Sequence, residues 1–541
     1  MIELFTARSG APSLRVDGVA MHSPYDPARE AARFVQETLG MENPSTVIVL
    51  GECMGHVTEA VARLRPESLL IAAVYSSEIA QASPLRGVPV WHPGTSLAFS
   101  EFLRRHLGEL QIEGLRIMEW PPAARAFPEV SKKANEAVRQ VVQELNGSFV
   151  TTVAAGRTWL RNSFANFLYA EPVLSGRLCA PGRPIMIAAP GPSLEEAGPL
   201  ISEVRSRVEL WALPSSCAFL LESDLIPDLV VMTDPGFYSM HHLQFPPPPC
   251  PLAMPLSAAR GAWALPAGGT GSRGTPVFFL GQPVVFEKAL LDAARVSAPL
   301  IAPHGTVAAT AIELALTSTS AAVIVAGLDM GSRDLLSHAR PNAFDRLLLL
   351  QASRFQPHAS LLFHRAALLG SASDPRAFGL RVSPALRTYA GWFDAGLAGA
   401  QGRVHRLLPS AVPLAGMIPL DAPGLRHLLQ GLPISSSGTR LKAAHGFPRG
   451  AERRRIALEV LKGWTEEIAA ARGAITDAGV LADLGRSSRV LEFAHLLAPR
   501  RLLDAMKNSR QGDRAAARGS MEEMLTECLD FLVDFGERSL G

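Results

Sequence analysis

Apolar residues in this chain fall into short runs, separated by small-residue turns and by stretches with helical spacing. The clearest succession lies between Arg183 and Asp234. Residues 184–189 form an apolar run that reads as a buried strand, followed by the turn Pro190, Gly191, Pro192, Ser193. Helical spacing covers 195–207, a second strand covers 208–213 and is closed by Ser215 and Ser216, and a further helix leads to a third strand over 229–233, ending on Asp234. Strand, small-residue turn, helix, strand is a parallel α/β unit, and such units bind ligands at the carboxyl ends of their strands. Gly191, Ser193, Ser215 and Asp234 all fall at such ends.

A similar but weaker pattern precedes it. Residues 1–25 read as a short polar start, 27–39 as an amphipathic helix, 45–51 as a buried strand with its turn, 57–64 as a helix and 69–75 as the next strand. The order is Rossmann-like, yet only Gly51 and Gly55 occupy a turn where a dinucleotide needs three small positions. Glu78 is placed either to reach a ribose or to cap the following helix. The reading is a Rossmann-like domain without a reliable cofactor signature. Farther on, Trp159, Asn162 and Asn166 share one helical face and read as packing and hydrogen-bonding residues at an interdomain seam.

After Asp234 the pattern continues with a polyproline-like connector over 245–251, strands over 253–256 and 277–280, and a glycine-rich loop over 268–274 between them. Gly305 and Thr306 open a helix running through Leu316. A strand over 322–327 leads to Leu328 and Asp329, and His338 lies in the polar loop beyond. A helix over 388–397 and a last strand over 403–408 follow. From Ala451 onward only helical spacing is found, carried by Ile456, Leu461, Trp464 and Ile468 and later by Met521, Met524, Leu525 and Cys528. The predicted architecture is α/β with three domains: Rossmann-like over 1–150, a central α/β domain over 151–430, and an all-α domain over 431–541. The helical domain reads as packed core, with docking of a protein acceptor as its functional alternative.

Composition narrows the class. The 541 residues are 48% hydrophobic and 19% charged, and the net charge is +2, so bulk electrostatics give no argument for nucleic acid. Five scattered cysteines without metal spacing fit reduced thiols in a cytoplasmic protein. The start of the chain lacks a signal peptide, and no apolar run reaches the length of a membrane helix. Zinc spacing, a Walker lysine and a Ser–His–Asp elbow are also missing.

The chemistry concentrates on one sheet edge. Gly191, Pro192 and Ser193 form a strand-to-helix turn suited to phosphate, although capping alone accounts for the serine. Gly305, Thr306, Asp234 and Asp329 fall at further strand or helix ends. Gly191 to Leu194, Ile226-Pro227-Asp228, Thr233-Asp234-Pro235 and the Trp159/Asn162/Asn166 segment together resemble the Maf (motility accessory factor) flagellin glycosyltransferases. With Gly305-Thr306, Gly327-Leu328-Asp329 and Ala343-Phe344-Asp345, the central domain is also similar to bacterial sialyltransferases. It shares its opening turn with an archaeal pterin pyrophosphokinase.

The resemblance implies metal-independent, inverting transfer of a nonulosonic acid, of the pseudaminic or legionaminic type, from a CMP donor to Ser or Thr hydroxyls of flagellin. No cofactor beyond that donor is expected. Nucleotide binding then falls to Gly191, Pro192, Ser193, Ser215, Gly305 and Thr306, with Asp234 and Asp329 orienting the donor sugar or a histidine. This chain departs from the pattern at Ala189, which replaces the first glycine. It departs again at Met330 and Gly331, which stand where sialyltransferases carry aromatic residues after the acid. His338 is expected either to donate to the leaving phosphate or to act as general base, with His358 and His364 as competitors. An ATP- and magnesium-dependent pterin pyrophosphokinase and a non-catalytic flagellin-binding chaperone are the alternatives.

Overall fold

The computed structural model describes the chain apart from residues 84, 245–246, 266–273, 303, 334–335, 369–379, 398–399, 401, 411, 435–439, 476–487 and 541. Most of the predicted glycine-rich loop, and the first two residues of the polyproline connector, lie outside the described residues. The chain forms two compact units, Met1–Ala154 with Glu466–Phe531, and Ala155–Thr465 with Leu532–Gly541. The segment 431–541, expected as all-α, is thus divided between the two, and it contributes the strand Arg440–Ala443 before its helices begin at Ala451.

In the first unit a four-stranded parallel sheet runs in the order Val90–Trp91, Leu69–Ala73, Thr46–Leu50, Leu115–Glu119. Its two central strands, Leu69–Ala73 and Thr46–Leu50, read as apolar runs because both faces of such sheets are covered; Ile48, Leu50 and Ile71 are fully buried. The helix Pro27–Leu39 starts where Asp26 accepts from the Arg29 N–H, and it buries Ala31, Val35 and Leu39, spaced by four. The segment expected as a polar start is instead a three-stranded antiparallel sheet, Ile2–Thr6, Pro12–Val16 and Val19–Ala20. Its strands are too short for alternation to stand out. The legible signal was Asp17-Gly18, both at positive φ, a hairpin turn pair.

The second unit holds a ten-stranded sheet. Its order is Ile418–Leu420, Val404–Leu407, Val323–Ala326, Ile185–Ala188, Glu209–Ala212, Leu229–Val231, Leu252–Pro255, Val277–Leu280, Val173–Arg177, Arg440–Ala443. All neighbours are parallel except the final pair. The strand at 403–408 is therefore not the last: Ile418–Leu420 and Arg440–Ala443 follow it. Both are short, and the second is a polar edge strand that gives no apolar run. After Val277–Leu280 the chain crosses back and lays Val323–Ala326 on the other side of Ile185–Ala188. Strand order reverses between these two strands, and that reversal opens a crevice at their carboxyl ends.

Candidate active site

The turn after Ile185–Ala188 and the turn after Val323–Ala326 meet in this crevice. The Gly191 N–H donates to the Gly327 carbonyl at 2.7 Å. A Cβ on Gly191 would lie 2.4 Å from that oxygen and 2.5 Å from Asp329 Oδ2, and a Cβ on Gly327 would lie 2.2 Å from the Ala189 carbonyl. Both glycines are required by backbone approach, and Gly327 also by its φ of +72°. The buried Asp329 carboxylate accepts from the Ser193 N–H at 2.7 Å and from the Ser193 hydroxyl at 2.6 Å. The donors expected to cradle phosphate at this helix start are thus engaged by an acid from the neighbouring strand. Gly191, Ser193 and Asp329 frame the crevice in this structure.

The loop carrying His338 closes over the same turn. The Ala339 N–H donates to the Pro190 carbonyl at 2.7 Å and the Arg340 N–H to Glu195 Oε1 at 2.8 Å. His338 Nδ1 and the Ser337 hydroxyl are 2.8 Å apart. The His338 ring centroid lies 6.4 Å from that of His242 and 5.7 Å from that of Phe344. His242 meets Phe344 edge-on at 4.6 Å, and the Arg365 guanidinium lies 3.9 Å over the Phe344 ring. Burial, with His242 and Arg365 alongside, pulls His338 down to about 3. Burial, Arg365 and His241 pull His242 down to about 4. Both imidazoles are neutral at pH 7.

His242 sits in the 3-10 helix Phe237–Leu243, which follows Asp234 and packs against both Pro214–Ser216 and the helix Ala343–Gln351. The exposed Asp234 accepts from the Gly236 N–H at 2.6 Å and shapes the entry to that helix. Ser216 is tied to the Ala188 and Leu213 carbonyls, both at 2.8 Å; Ser215 beside it is only partly buried. Thr306 caps the helix Val307–Ser318, its hydroxyl oxygen accepting from the Ala309 N–H at 3.1 Å. Gly305 in front of it is exposed. The Tyr389 ring closes on Gly305, so that a Cβ there would meet Cε1 at 3.0 Å. A helix that leads into a parallel strand starts at the carboxyl edge, so this amino end faces the same side as the crevice. His358 and His364 lie on the helix His358–Leu368, which also carries Arg365. His364 is exposed, and His358 Nε2 is buried and unpaired.

The Asn162 and Asn166 amides fix the loops that follow two other strands. Asn162 donates to the Pro235 and Ser257 carbonyls at 3.1 and 3.0 Å, and Asn166 to the Leu256 and Ala258 carbonyls, both at 2.8 Å. The buried Glu287 accepts from the Ser257 and Gln282 N–H groups, and burial pushes it up to about 7. Sequence reasoning missed His242, Arg365 and Tyr389. No fixed spacing links them: His242 and Arg365 meet through Phe344, and Tyr389 meets Gly305, each from a segment distant in the chain.

In the first unit the equivalent crevice is filled from within. The Glu52 carboxylate accepts from the N–H groups of Cys53, Gly55 and Thr58 and from the Thr58 hydroxyl, at 2.6–3.0 Å. Tyr75 donates to Glu119 at 2.5 Å. Glu78 lies exposed in the first turn of a helix capped by Ser76.

All five cysteines are free and buried. Among the described residues no helix is long and apolar enough to cross a membrane, and no group of three or more His, Cys, Asp or Glu residues is placed to hold a metal.

Comparison with known proteins agrees with this architecture. Residues 158–246 match the family model described as 6-hydroxymethylpterin diphosphokinase MptE-like. The solved structure of a Maf glycosyltransferase from Magnetospirillum magneticum AMB-1 superposes with a TM-score of 0.58 at 11% identity, covering 99% of this chain and 92% of that one. An uncharacterised protein of Treponema pallidum (strain Nichols) is 25% identical over 301 residues, 55% of this chain and 61% of that relative. A second from the same organism is 27% identical over 125 residues, 22% of this chain and 59% of that relative. The chain thus spans about three-fifths of the length of these two relatives. It has the Maf-type fold along nearly its whole length with an MptE-like segment inside it, as the sequence resemblance implied.

Proposed function

We propose that the protein is a glycosyltransferase that moves a nonulosonic acid from a CMP donor to a Ser or Thr hydroxyl of a protein acceptor such as flagellin. The observation that carries this reading is the cluster of His338, His242, Phe344 and Arg365 whose loop closes over the turn at the strand-order reversal of a Maf-type fold. The nucleotide is seated at Gly305, Thr306 and the amino end of Val307–Ser318, with Ser215, in the turn after Glu209–Ala212, as a further contact. Gly191, Pro192, Ser193 and Asp329 hold the crevice in shape. Asp234 positions the helix that carries His242.

With His338 Nδ1–H donating to the Ser337 oxygen, the Nε2 lone pair is free to take the proton of the acceptor hydroxyl. The hydroxyl oxygen forms its bond to the anomeric carbon as the sugar–phosphate bond breaks, and the electron pair leaves on CMP. That displacement inverts the anomeric centre and draws on no metal. Flagellin as acceptor and a cytoplasmic site of action accompany this reading.

The MptE-like match favours one second reading, an ATP- and magnesium-dependent pyrophosphokinase. Against it, both Asp329 oxygens already accept from Ser193, so a metal there shares the carboxylate with those donors. The deciding experiment is a thermal-shift titration with CMP, ADP and ATP, each with and without magnesium. Stabilisation by CMP in the absence of metal is the expected result. Stabilisation by ATP with magnesium alone moves the assignment to pyrophosphoryl transfer. No response to any nucleotide favours a protein-binding role without catalysis.

A further inference from the structure

We propose that Arg365, His242 and the Phe344 ring form an oxyanion-binding subsite beside His338, and that it receives the negatively charged phosphate or carboxylate of the donor. This rests on the reading of the crevice as a transfer site, and it adds the group that makes the donor's charge part of the mechanism.

Three independent features point to an anionic occupant. Arg365 is half-buried, its Cζ lies 3.9 Å over the Phe344 ring, and its nearby acid is already engaged: Asp345 accepts from Arg340 Nε at 2.9 Å and from the Asn342 amide at 3.2 Å. Burial outweighs the attraction of Asp345 and lowers Arg365 below its ordinary value. A guanidinium held this way keeps its donor edge for a planar or tetrahedral oxyanion. His242 is nine-tenths buried, and its Nδ1 has no hydrogen-bond partner, a cost that a ligand would remove. Finally, the charge that acts on both imidazoles is that of Arg365, joined at His242 by His241, while Asp345 is paired with Arg340.

The subsite has a consequence for His338. Burial first, and then the neighbouring His242 and Arg365, make His338 a weak base. An oxyanion against Arg365 and His242 reverses the sign of that field and raises both imidazoles. Donor binding therefore places a proton on His242 and strengthens His338 as a base, its Nε2 lone pair staying open to the acceptor's proton; without donor the base stays weak.

The test is calorimetric titration of the full chain with inorganic phosphate, CMP and N-acetylneuraminate, at pH 6.5 in two buffers of different ionisation enthalpy. Wild type, Arg365→Gln, Arg365→Lys and His242→Phe are compared, with circular dichroism and unliganded melting temperature as controls on folding. Arg365→Gln is expected to weaken the relevant anion about 10- to 100-fold, and Arg365→Lys much less. Proton uptake seen with wild type should shrink in His242→Phe, which a merely structural role would not produce. Phosphate and CMP sensitivity to Arg365 identifies the phosphate as occupant; N-acetylneuraminate sensitivity alone identifies the carboxylate. Phosphate binding that depends on Arg365, with CMP no tighter, keeps the subsite and removes the CMP-donor reading. CMP binding that no Arg365 variant alters, with no Arg365-dependent binding of the other anions, overturns the subsite and leaves the CMP reading standing. If no anion binds wild type, the subsite is likewise overturned. Should Arg365→Gln fail to fold, Arg365→Lys and His242→Phe carry the same comparison.

Discussion

The two parallel sheets of this molecule reverse strand order in the same manner, and each places an internal carboxylate at the helix start beside the reversal. In the first, Glu52 comes from the turn itself and takes three N–H groups and a hydroxyl. Tyr75 and Glu119 then close the space with a hydrogen bond, and Ala123 packs where a Cβ on Gly51 would stand. In the second, Asp329 comes from the strand across the crevice and takes two donors of Ser193. The loops and helices beyond it carry Gly305, Ser215, His338, His242 and Arg365, and among the described residues the buried Nδ1 of His242 has no hydrogen-bond partner. A crevice whose donors and acceptors are matched from within has nothing left to offer a ligand. A crevice that keeps a buried, unpartnered imidazole nitrogen and a cation against one aromatic ring retains unsatisfied capacity, and binding energy comes from satisfying it.

The sharpest way to break this contrast is to remove His338. His338→Ala should lower transfer from a CMP donor about 10²- to 10⁴-fold, measured as kcat/KM. Tyr75→Phe in the filled crevice should leave transfer within about twofold. Unchanged transfer in His338→Ala moves the base elsewhere, with His358 the next candidate. Equal losses in both variants erase the distinction between the crevices.

Next in size is the cost of the internal carboxylates. Glu52→Ala strands three buried N–H groups and a hydroxyl, and should destabilise by about 2–4 kcal/mol in denaturant titration, with no specific change in kcat. Asp329→Ala should cost about 2–3 kcal/mol and should lower activity as well, because it releases the turn that carries Gly191 and Ser193. A Glu52→Ala variant that folds normally and gains nucleotide affinity would show that the first crevice can be opened, contrary to the reading of it as filled.

Charge supplies a smaller effect with a definite sign. His242 and His338 are held at about 4 and about 3, below the ordinary histidine value. Between that value and about pH 4 the unfolded chain binds more protons than the folded one, so stability is present above about pH 6.5 and is lost as pH falls. Each imidazole contributes up to about 3 kcal/mol over that range. Glu287 runs the other way: raised to about 7, it contributes stability below the ordinary glutamate value that is lost as pH rises through 7. His242→Phe should therefore flatten the acid limb of a melting-temperature profile, and Glu287→Gln the limb between about pH 5 and 8. An acid limb unchanged in His242→Phe contradicts a buried, neutral imidazole at this position.

How much of this was legible in the sequence follows from what kind of signal each part sends. Fully buried parallel strands are apolar throughout, so Ile185–Ala188, Val277–Leu280 and Val323–Ala326 were read nearly to the residue. The short antiparallel strands before Ala20 and the edge strands Ile418–Leu420 and Arg440–Ala443 bury too little to leave a run, and they were missed. Gly191, Ser193 and Asp329 were found, but their mutual hydrogen bonds depend on which strands are neighbours. That adjacency is a property of the crossover, which no local pattern encodes. His242, Arg365 and Tyr389 lie even further from local reading, since each is an ordinary residue on an ordinary helix until the fold assembles them.

Gly305 and Tyr389 give the finest test. Tyr389 stands close to the helix amino end where the nucleotide is proposed to sit, and only a residue without a Cβ lets its ring approach: Cβ to Cε1 would be 3.0 Å. That distance is tight rather than impossible, so Gly305→Ala should fold, shift the ring by a few tenths of an ångström, and weaken CMP about tenfold, close to 1.4 kcal/mol. The matched change in the first unit, Gly51→Ala, forces a Cβ to 2.8 Å from Ala123 at a φ of +73°. It should therefore destabilise the fold while leaving the CMP affinity of the folded fraction unchanged. Tyr389→Phe separates ring from hydroxyl: affinity kept in Phe but lost in Ala means that the ring shapes the seat, and affinity lost in both means that the phenol contacts the ligand. CMP affinity unaltered by Gly305→Ala would move the nucleotide away from this helix end and toward Ser215.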